Sequence, residues 1–531
     1  MAARRVAILL AALTALLATP APAPAQKAGG VLNVMHREDP GGFSIHEGAT
    51  PSVVWSATPC FSNLVLLDPF TPHDSASAIR PELATRWSWQ DGGRSLVFFL
   101  RHDVTWHDGR PFTSRDVKHT FDMVREAPEA TAKLRVSPRK LWYANVEAIE
   151  APDPFTVAFR LKRPQPSLLM LLASAFSPVY PAHVDPAEMR TRCVGTGPFK
   201  LKDYRRNQLV EYERNSDYFV KGRPYLAGLR FVVITERGTR VAALQAGQLD
   251  VSFPSEMPKT IAENVKKAVP ALVVTAVGQN AHDNLLMNNK KPPFDNPNVR
   301  RAVSLAVERR AYIQAVRQGG AVPGAAMGPP PAGLWGLGER ELAKLPGYGD
   351  PARNKVEAQR LLAAAGFGPN NPLKVELVTR SLAIYLDFAG FLVDQLRQVG
   401  IQATLKQVET GPWFAILTRR DYQMAVNLTA MGIDDPDAVL YENFKCGSPR
   451  NYQDYCNEAV DRLIDAQSQE VDPKKRQQLV WEIQRKLEED AGRPIMGWRL
   501  DFFTHWPHVK NFIAHHSLYN YGRFQDTWLD K

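Results

Sequence analysis

The sequence predicts an α/β protein of two or three domains whose C-terminal tail returns to the first domain. Three observations carry that expectation. The first half reads as short strands and turns with few helices. The second half alternates in the order β-α-β-α-β, a pattern of parallel strands joined by right-handed crossovers. After the last amphipathic helix the chain reverts to strand-like segments rich in aromatics, from Trp498 to Trp528. A tail that completes the first domain makes two chain crossings, and two crossings suit a hinge.

Taken in order, residues 31 to 36 (VLNVMH) and 94 to 101 (RSLVFFLR) are the first apolar runs of strand length. A turn at Trp106 to Gly109 leads to a helix from about Ser114. Thr113 or Ser114 can cap it, Asp116 sits in its first turn, and Val117, Phe121 and Val124 recur at i, i+4, i+7. Strand-like segments follow at 154 to 161, 208 to 213 and 229 to 234. From about residue 285 the period lengthens. Asp295 or Asn296 can cap a helix that begins with Pro297, carries Val299, Val303, Ala306 and Val307 on one face, and runs to Gly319. Beyond a Pro/Gly-rich loop at 319 to 336 comes the alternation: strand 373 to 379, helix 382 to 399, strand 401 to 408, a short helix after Gly411-Pro412, and strand 422 to 428. A final helix opened by Asp472-Pro473 presents Leu479, Val480, Ile483 and Leu487 and stops near Gly492.

The N-terminus has the layout of a secretory signal peptide over residues 1 to 25: Arg4 and Arg5, an apolar run from Val6 to Leu17 too short to span a bilayer, then Ala23-Pro24-Ala25. Its removal takes away two cations and no anions, lowering the formal charge from +10 to +8. No cysteine follows within the first few mature residues, so the expectation is a freely diffusing protein without a thiol-linked lipid anchor. Downstream no stretch approaches ~20 uninterrupted apolar residues. Lys and Arg are interspersed with Asp and Glu. Runs such as Lys474-Lys475-Arg476 read as solvated helix faces, which disfavours nucleic acid as a partner.

The four cysteines, Cys60, Cys193, Cys446 and Cys456, lack the close spacing of redox or zinc motifs. In an oxidising compartment they are expected to pair. Cys446 and Cys456 close a short polar loop, which leaves Cys60 with Cys193; four free structural thiols are the alternative.

In open parallel sheets, ligands bind beyond the carboxyl ends of the strands. Three loops are readable there. Arg380 follows the strand at 373 to 379, Trp413 follows 401 to 408, and Asp434 and Asp435 follow 422 to 428. A guanidinium, an aromatic face and carboxylates on one rim suit a zwitterionic or amphipathic small molecule. Each also has an ordinary use: a solvated loop arginine, a core aromatic, a helix cap and turn acids.

Catalytic patterns are absent or incomplete. Ser137-Pro138-Arg139-Lys140 matches S-x-x-K without the partner motifs, and no G-x-S-x-G, H-E-x-x-H or G-x-x-x-x-G-K-[ST] occurs. His505, His508, His515 and His516 lie among strand-like aromatics and read as structural rather than metal ligands, as do His102 and His107 beside a turn. No catalytic residue, metal or cofactor is expected.

Arg80 to Val124 (RPELATRWSWQDGGRSLVFFLRHDVTWHDGRPFTSRDVKHTFDMV), VGTGPFKLKDY at Val194 to Tyr204, NNKKPPFDNPNVRRAVSLAVERRAYI at Asn288 to Ile313 and the Cys446 to Cys456 loop resemble the dipeptide, oligopeptide and nickel-binding family of extracellular solute-binding proteins that feed ABC importers. The resemblance implies a two-lobed periplasmic binding protein fold with a hinge of two strands. Lobe I would join 26 to 79, 192 to 281 and 499 to 531, with 80 to 191 as an inserted subdomain and 282 to 498 as lobe II. It further implies a periplasmic, monomeric, non-enzymatic receptor that encloses a peptide or similar solute and presents it to a membrane permease. A receptor for a metal chelate or haem-like ligand and a secreted hydrolase are the alternatives. In dipeptide-binding relatives an Arg holds the ligand carboxylate and an Asp its amino group. Arg380 falls close to the Arg position. DPDAVLYENFKC from Asp435 is similar to the segment that carries the Asp, but Gly432 stands at the Asp position, so either Asp434 substitutes or the ligand lacks an ammonium group. Thr50 and Trp55 lie in the segment that faces the cleft in relatives.

Overall fold

The computed structural model describes residues 26–48 and 50–531, so the expected signal segment lies outside the described residues. Strand Val31–His36 pairs in parallel with Gly228–Val233, and Leu209–Arg214 and Phe199–Arg205 extend that sheet antiparallel to four strands. Leu32, Val34, Leu229 and Phe231 are fully buried, the period-two face that makes these segments strands. A second four-stranded sheet is an antiparallel meander of Ala84–Gln90, Ser95–Leu100, Thr156–Leu161 and Val146–Asp153. Helix Ser114–Val124 packs on it through Phe121, whose ring meets Phe159 edge-on at 5.4 Å. Thr113 starts that helix with a capping box, its N–H donating to Asp116 Oδ2 at 2.8 Å.

The third sheet has six strands in the order Ala321–Val322, Ile495–His505, Val273–Met287, Met424–Ala430, Leu373–Arg380, Ile401–Val408. The expected parallel arrangement holds for Leu373–Arg380 with its neighbours Ile401–Val408 and Met424–Ala430. The sheet as a whole is mixed. Val273–Met287 and Ile495–His505 run antiparallel to each other, and Val273–Met287 is antiparallel to Met424–Ala430, because the chain enters this half on one long strand and leaves it on the other. At one end these two strands reach the first half through the bridges His505 to Val251 and Val251 to Val34. At the other, Ala281–Met287 pairs with the strands of the second half. Their register slips between Gly278 and His282, opposite Arg499. One large hydrophobic cluster gathers chiefly residues of 32–281 and 503–529, and a second is built from 285–426 with Met496, so the α/β fold is two-lobed.

One helix expected as continuous is two. Asn296, not Asp295, caps Pro297–Ala306 by accepting from Asn298 N–H at 2.9 Å, and the chain turns extended at Val307 before Arg309–Ala315. The break is held by Arg309, whose buried guanidinium donates to the Ser304 carbonyl freed at the helix end and to Ile495 O. The tail returns as expected: Arg523 pairs with Glu82 at 3.2 Å and donates to Asn63 Oδ1 at 2.8 Å. Both cystines are present, Cys60–Cys193 and Cys446–Cys456. Among the described residues no helix is long and apolar enough to cross a membrane.

Candidate functional site

Between the two halves lies a cavity walled on one side by Arg37, Thr50, Ser255 and Tyr519 and on the other by Arg380, Tyr385, Phe414, Asn427, Thr429, Asn443, Arg450 and Tyr452. Arg499, on the long strand that leaves the second half, completes the wall. Arg380 is the last residue of a parallel strand, so its side chain reaches the rim where the loops converge. It is 3 % exposed and donates to Tyr385 Oη at 3.1 Å and Thr410 Oγ1 at 2.6 Å. Phe414, on helix Thr410–Arg419, lies 5.8 Å from its guanidinium carbon. Asn427 and Thr429 point to one face of Met424–Ala430 because they are two residues apart on a strand, and Asn284 cross-links them from the neighbouring strand, donating to Thr429 Oγ1 at 2.9 Å. Ser255 is held at φ +66° with its N–H on Asp501 Oδ2 at 2.9 Å.

The electrostatics of the wall are one-sided. Arg37, Arg380, Arg450 and Arg499 line it, and among the described residues no Asp or Glu does. The acids stand one step behind. Glu38 takes Arg37 at 3.2 Å, Arg380 at 3.7 Å and the Ser52 hydroxyl at 2.6 Å. Burial alone would raise Glu38, but Arg37, Ser52 and Arg380 outweigh it and hold the carboxyl at about 2. Arg450 pairs with Glu442, and its Nε has no hydrogen-bond partner among the described residues. Arg499 Nη1 is likewise buried without one, and burial lowers its pKa. Asp501 is pushed up to about 7 by burial, which its bond from Ser255 N–H only partly offsets.

Of the residues singled out in the sequence, Arg380 and Thr50 are brought together at this cavity. Trp413 is not on the wall. It is 0 % exposed in a cluster with Val378, Leu417 and Tyr422, because the helix turns that ring into the sheet and leaves its neighbour Phe414 facing the cavity. Trp55 is 2 % exposed and meets Tyr521 and Phe524 at 5.1 and 5.3 Å within the first half's aromatic core. Asp435 caps helix Pro436–Asn443 and binds Arg476 through both oxygens at 2.7 and 3.0 Å. Asp434 accepts from Leu334 N–H at 2.9 Å, and its own N–H donates to Asp74 of the other half. At Gly432 a Cβ would meet the Phe176 ring at 2.7 Å, so that position has no room for a side chain.

Ser137 donates to Val124 O while Lys140 pairs with Glu126, so the S-x-x-K match builds no nucleophile and base. His508 pairs with Asp250 at 2.7 Å, His516 with Gly278 O at 2.6 Å, and His515 Nδ1 accepts from Ser517 N–H; among the described residues no three such groups converge on a metal position. Arg37, Arg450 and Arg499 were not legible as site residues. Asn427 and Thr429 carried a signal, two polar residues at period two in an otherwise apolar strand.

The sequence profile of the bacterial extracellular solute-binding proteins, family 5, matches residues 78–451. Di/tripeptide-binding protein 2 of Pseudomonas aeruginosa strain UCBPP-PA14 is 27 % identical over 460 residues, 82 % of this chain and 83 % of its own. Glutathione-binding protein GsiB of Escherichia coli K12 is 25 % identical over 371 residues, 66 % of this chain and 69 % of its own. The Helicobacter pylori periplasmic binding protein DppA, solved with peptide STSA, superimposes with a TM-score of 0.83 at 24 % identity, covering 95 % of this chain and 99 % of that one. With the profile spanning well over half its length and the fold matched almost end to end, the chain belongs to the family 5 bacterial extracellular solute-binding proteins.

Proposed function

We propose that this protein is the capture component of an ABC importer. It takes a peptide or a similar small organic solute from the periplasm, encloses it between its lobes and delivers it to a membrane permease without chemical change. The observation that carries this reading is the cavity walled by side chains of both halves, with Arg37 and Thr50 facing Arg380 and Arg450 across it. The lobe division that fits this role joins 26 to 79, 192 to 281 and 499 to 531 as lobe I, with 80 to 191 inserted, and 282 to 498 as lobe II. The two long strands then act as the hinge, and the register slip opposite Arg499 lets them bend. The protein acts in the periplasm as a monomer. Arg380 supplies the ligand-carboxylate contact, with Thr50 on the facing wall.

A ligand that binds only the closed form stabilises it by mass action. A di- to pentapeptide library scanned by thermal denaturation, with small-angle scattering on the hits, is expected to yield solutes that raise Tm and shrink the scattering radius. Arg380→Ala should weaken those solutes roughly 10- to 100-fold, the worth of a lost charged hydrogen bond. Tm shifts without compaction, or unchanged affinity in the variant, would refute the clamp between lobes.

A further inference from the structure

We infer that the enclosed solute is a multivalent organic anion, an acidic peptide blocked at its amino end or another polycarboxylate of that size, because four guanidiniums line a cavity on which, among the described residues, no carboxylate faces. The inference rests on the receptor reading and narrows it to a ligand class.

The cations around this wall outnumber the acids available to them. Glu38 is shared by Arg37 and Arg380. Glu256 is shared by Arg37 at 3.2 Å, the buried Arg240 and, at 3.9 Å, Arg237. Glu442 is held by Arg450. Behind Arg450, Arg139 and Arg493 are buried with neutral partners: Arg139 donates to Gly48 O and lies 3.4 Å over the Phe176 ring, and Arg493 donates to Asn443 Oδ1 and Gln453 Oε1. Burial pushes both down to about 10. Asp283, which helps to offset Arg499, is taken by Arg317 at 2.7 Å.

A buried guanidinium whose counter-charge is shared or distant is costly, and an anion brought to it relieves that cost. Arg380 Nε, Arg450 Nε and Arg499 Nη1 are buried donors without an acceptor among the described residues. A solute with one carboxylate can serve one of these centres; one with two or three can serve the set. Among the described residues no group lining this cavity offers an ammonium its counter-charge. Asp434 and Asp435 are engaged elsewhere, and Gly432 has no space for a side chain. Asp501, with a partnerless Oδ1, and Asp387 line not the cavity but the adjoining crevice, which shares Ser255, Ile384 and Arg499 with it and sets Lys259, Arg237 and Arg317 beside those two acids.

The test uses the full mature chain, freed of retained solute by denaturant dialysis with its disulfides intact. Titration calorimetry and Tm would be read with ammonium-free polycarboxylates from glutarate to N-acetyl-Asp-Glu, with free-amino Glu-Glu, and with Ala-Ala. N-acetyl-Asp-Glu is expected to bind at least tenfold tighter than Ala-Ala and no weaker than Glu-Glu, with affinity falling as salt rises. Arg499→Gln should raise the Tm of the empty protein, since it removes a buried charge that Asp283 and Asp501 offset only in part, and weaken N-acetyl-Asp-Glu at least tenfold; Arg499→Lys should fall between. An arginine with a merely structural role would lower Tm when replaced. Closure on Ala-Ala or Glu-Glu alone, or full affinity in Arg499→Gln, overturns the anion inference and leaves the receptor standing. Closure with no member of any set counts against both.

Discussion

Asp435 and Arg476 face each other through two parallel hydrogen bonds at 2.7 and 3.0 Å, both side chains nearly excluded from water. Removing Asp435 takes away the cap of Pro436–Asn443 and leaves the buried Arg476 only the longer carboxylate contact to Asp437, at 3.6 Å. Asp435→Ala should therefore destabilise the fold by about 3–5 kcal/mol, seen as a lower Tm. Solute affinity measured well below the transition should stay unchanged. A ligand-contacting aspartate would give the reverse, lost affinity at constant Tm. Trp413 teaches the same lesson in apolar form. A one-residue step along a helix turns a side chain by about 100°, enough to place Trp413 in the core and Phe414 on the cavity.

At the scale of elements, the Cys446–Cys456 bridge closes a loop that carries Arg450 and Tyr452 to the cavity wall. Chain entropy assigns this short loop about 3 kcal/mol, and the Cys60–Cys193 bridge, with a sequence separation of 133, about 5 kcal/mol. Denaturant midpoints of the two double Cys→Ser variants should fall in that order. Only the Cys446→Ser/Cys456→Ser protein should also lose solute affinity, because only that loop bears cavity residues; an unaffected affinity would mean the loop is held by other contacts. Strand and helix positions were legible because each is written in a local period, two or 3.6 residues. The break at Val307 was not, since the buried Arg309 that holds it bonds to Ile495, a distant strand.

Across the whole molecule, Asp74 from one half and Asp434 from the other meet in a buried contact, Asp434 N–H donating to Asp74 Oδ2 at 2.9 Å with His515 3.8 Å from Asp74. Burial pushes both carboxyls up to about 7. The folded form then holds these protons more tightly than the unfolded chain, whose carboxyls titrate near ~4, so their contribution to stability declines as pH rises from about 4 to about 7. Buried histidines act oppositely. His282 and His515 are pushed down to about 3 by burial, and the stability this lends is present above ~6.5 and lost as pH falls toward those values. Asp434→Asn should raise Tm by ~2 °C or more at pH 8 and leave it nearly unchanged at pH 4. Thermal melts at the two pH values check this, and an equal shift at both would remove Asp434 from the linkage.

By itself the sequence determined the α/β class, most element positions, both cystine pairs and the return of the tail, because backbone periodicity, caps and compartment chemistry act over a few residues or through a small pairing choice. It also marked Arg380, since the end of a parallel strand is a local address. The tertiary structure alone decided that Arg37, Arg450 and Arg499 join it on one wall, and that Trp55, Trp413, Asp434 and Asp435 do not line that wall. Those residues come from segments tens to hundreds of positions apart, and only the packing of the two halves, which no local period encodes, sets which of them share a cavity.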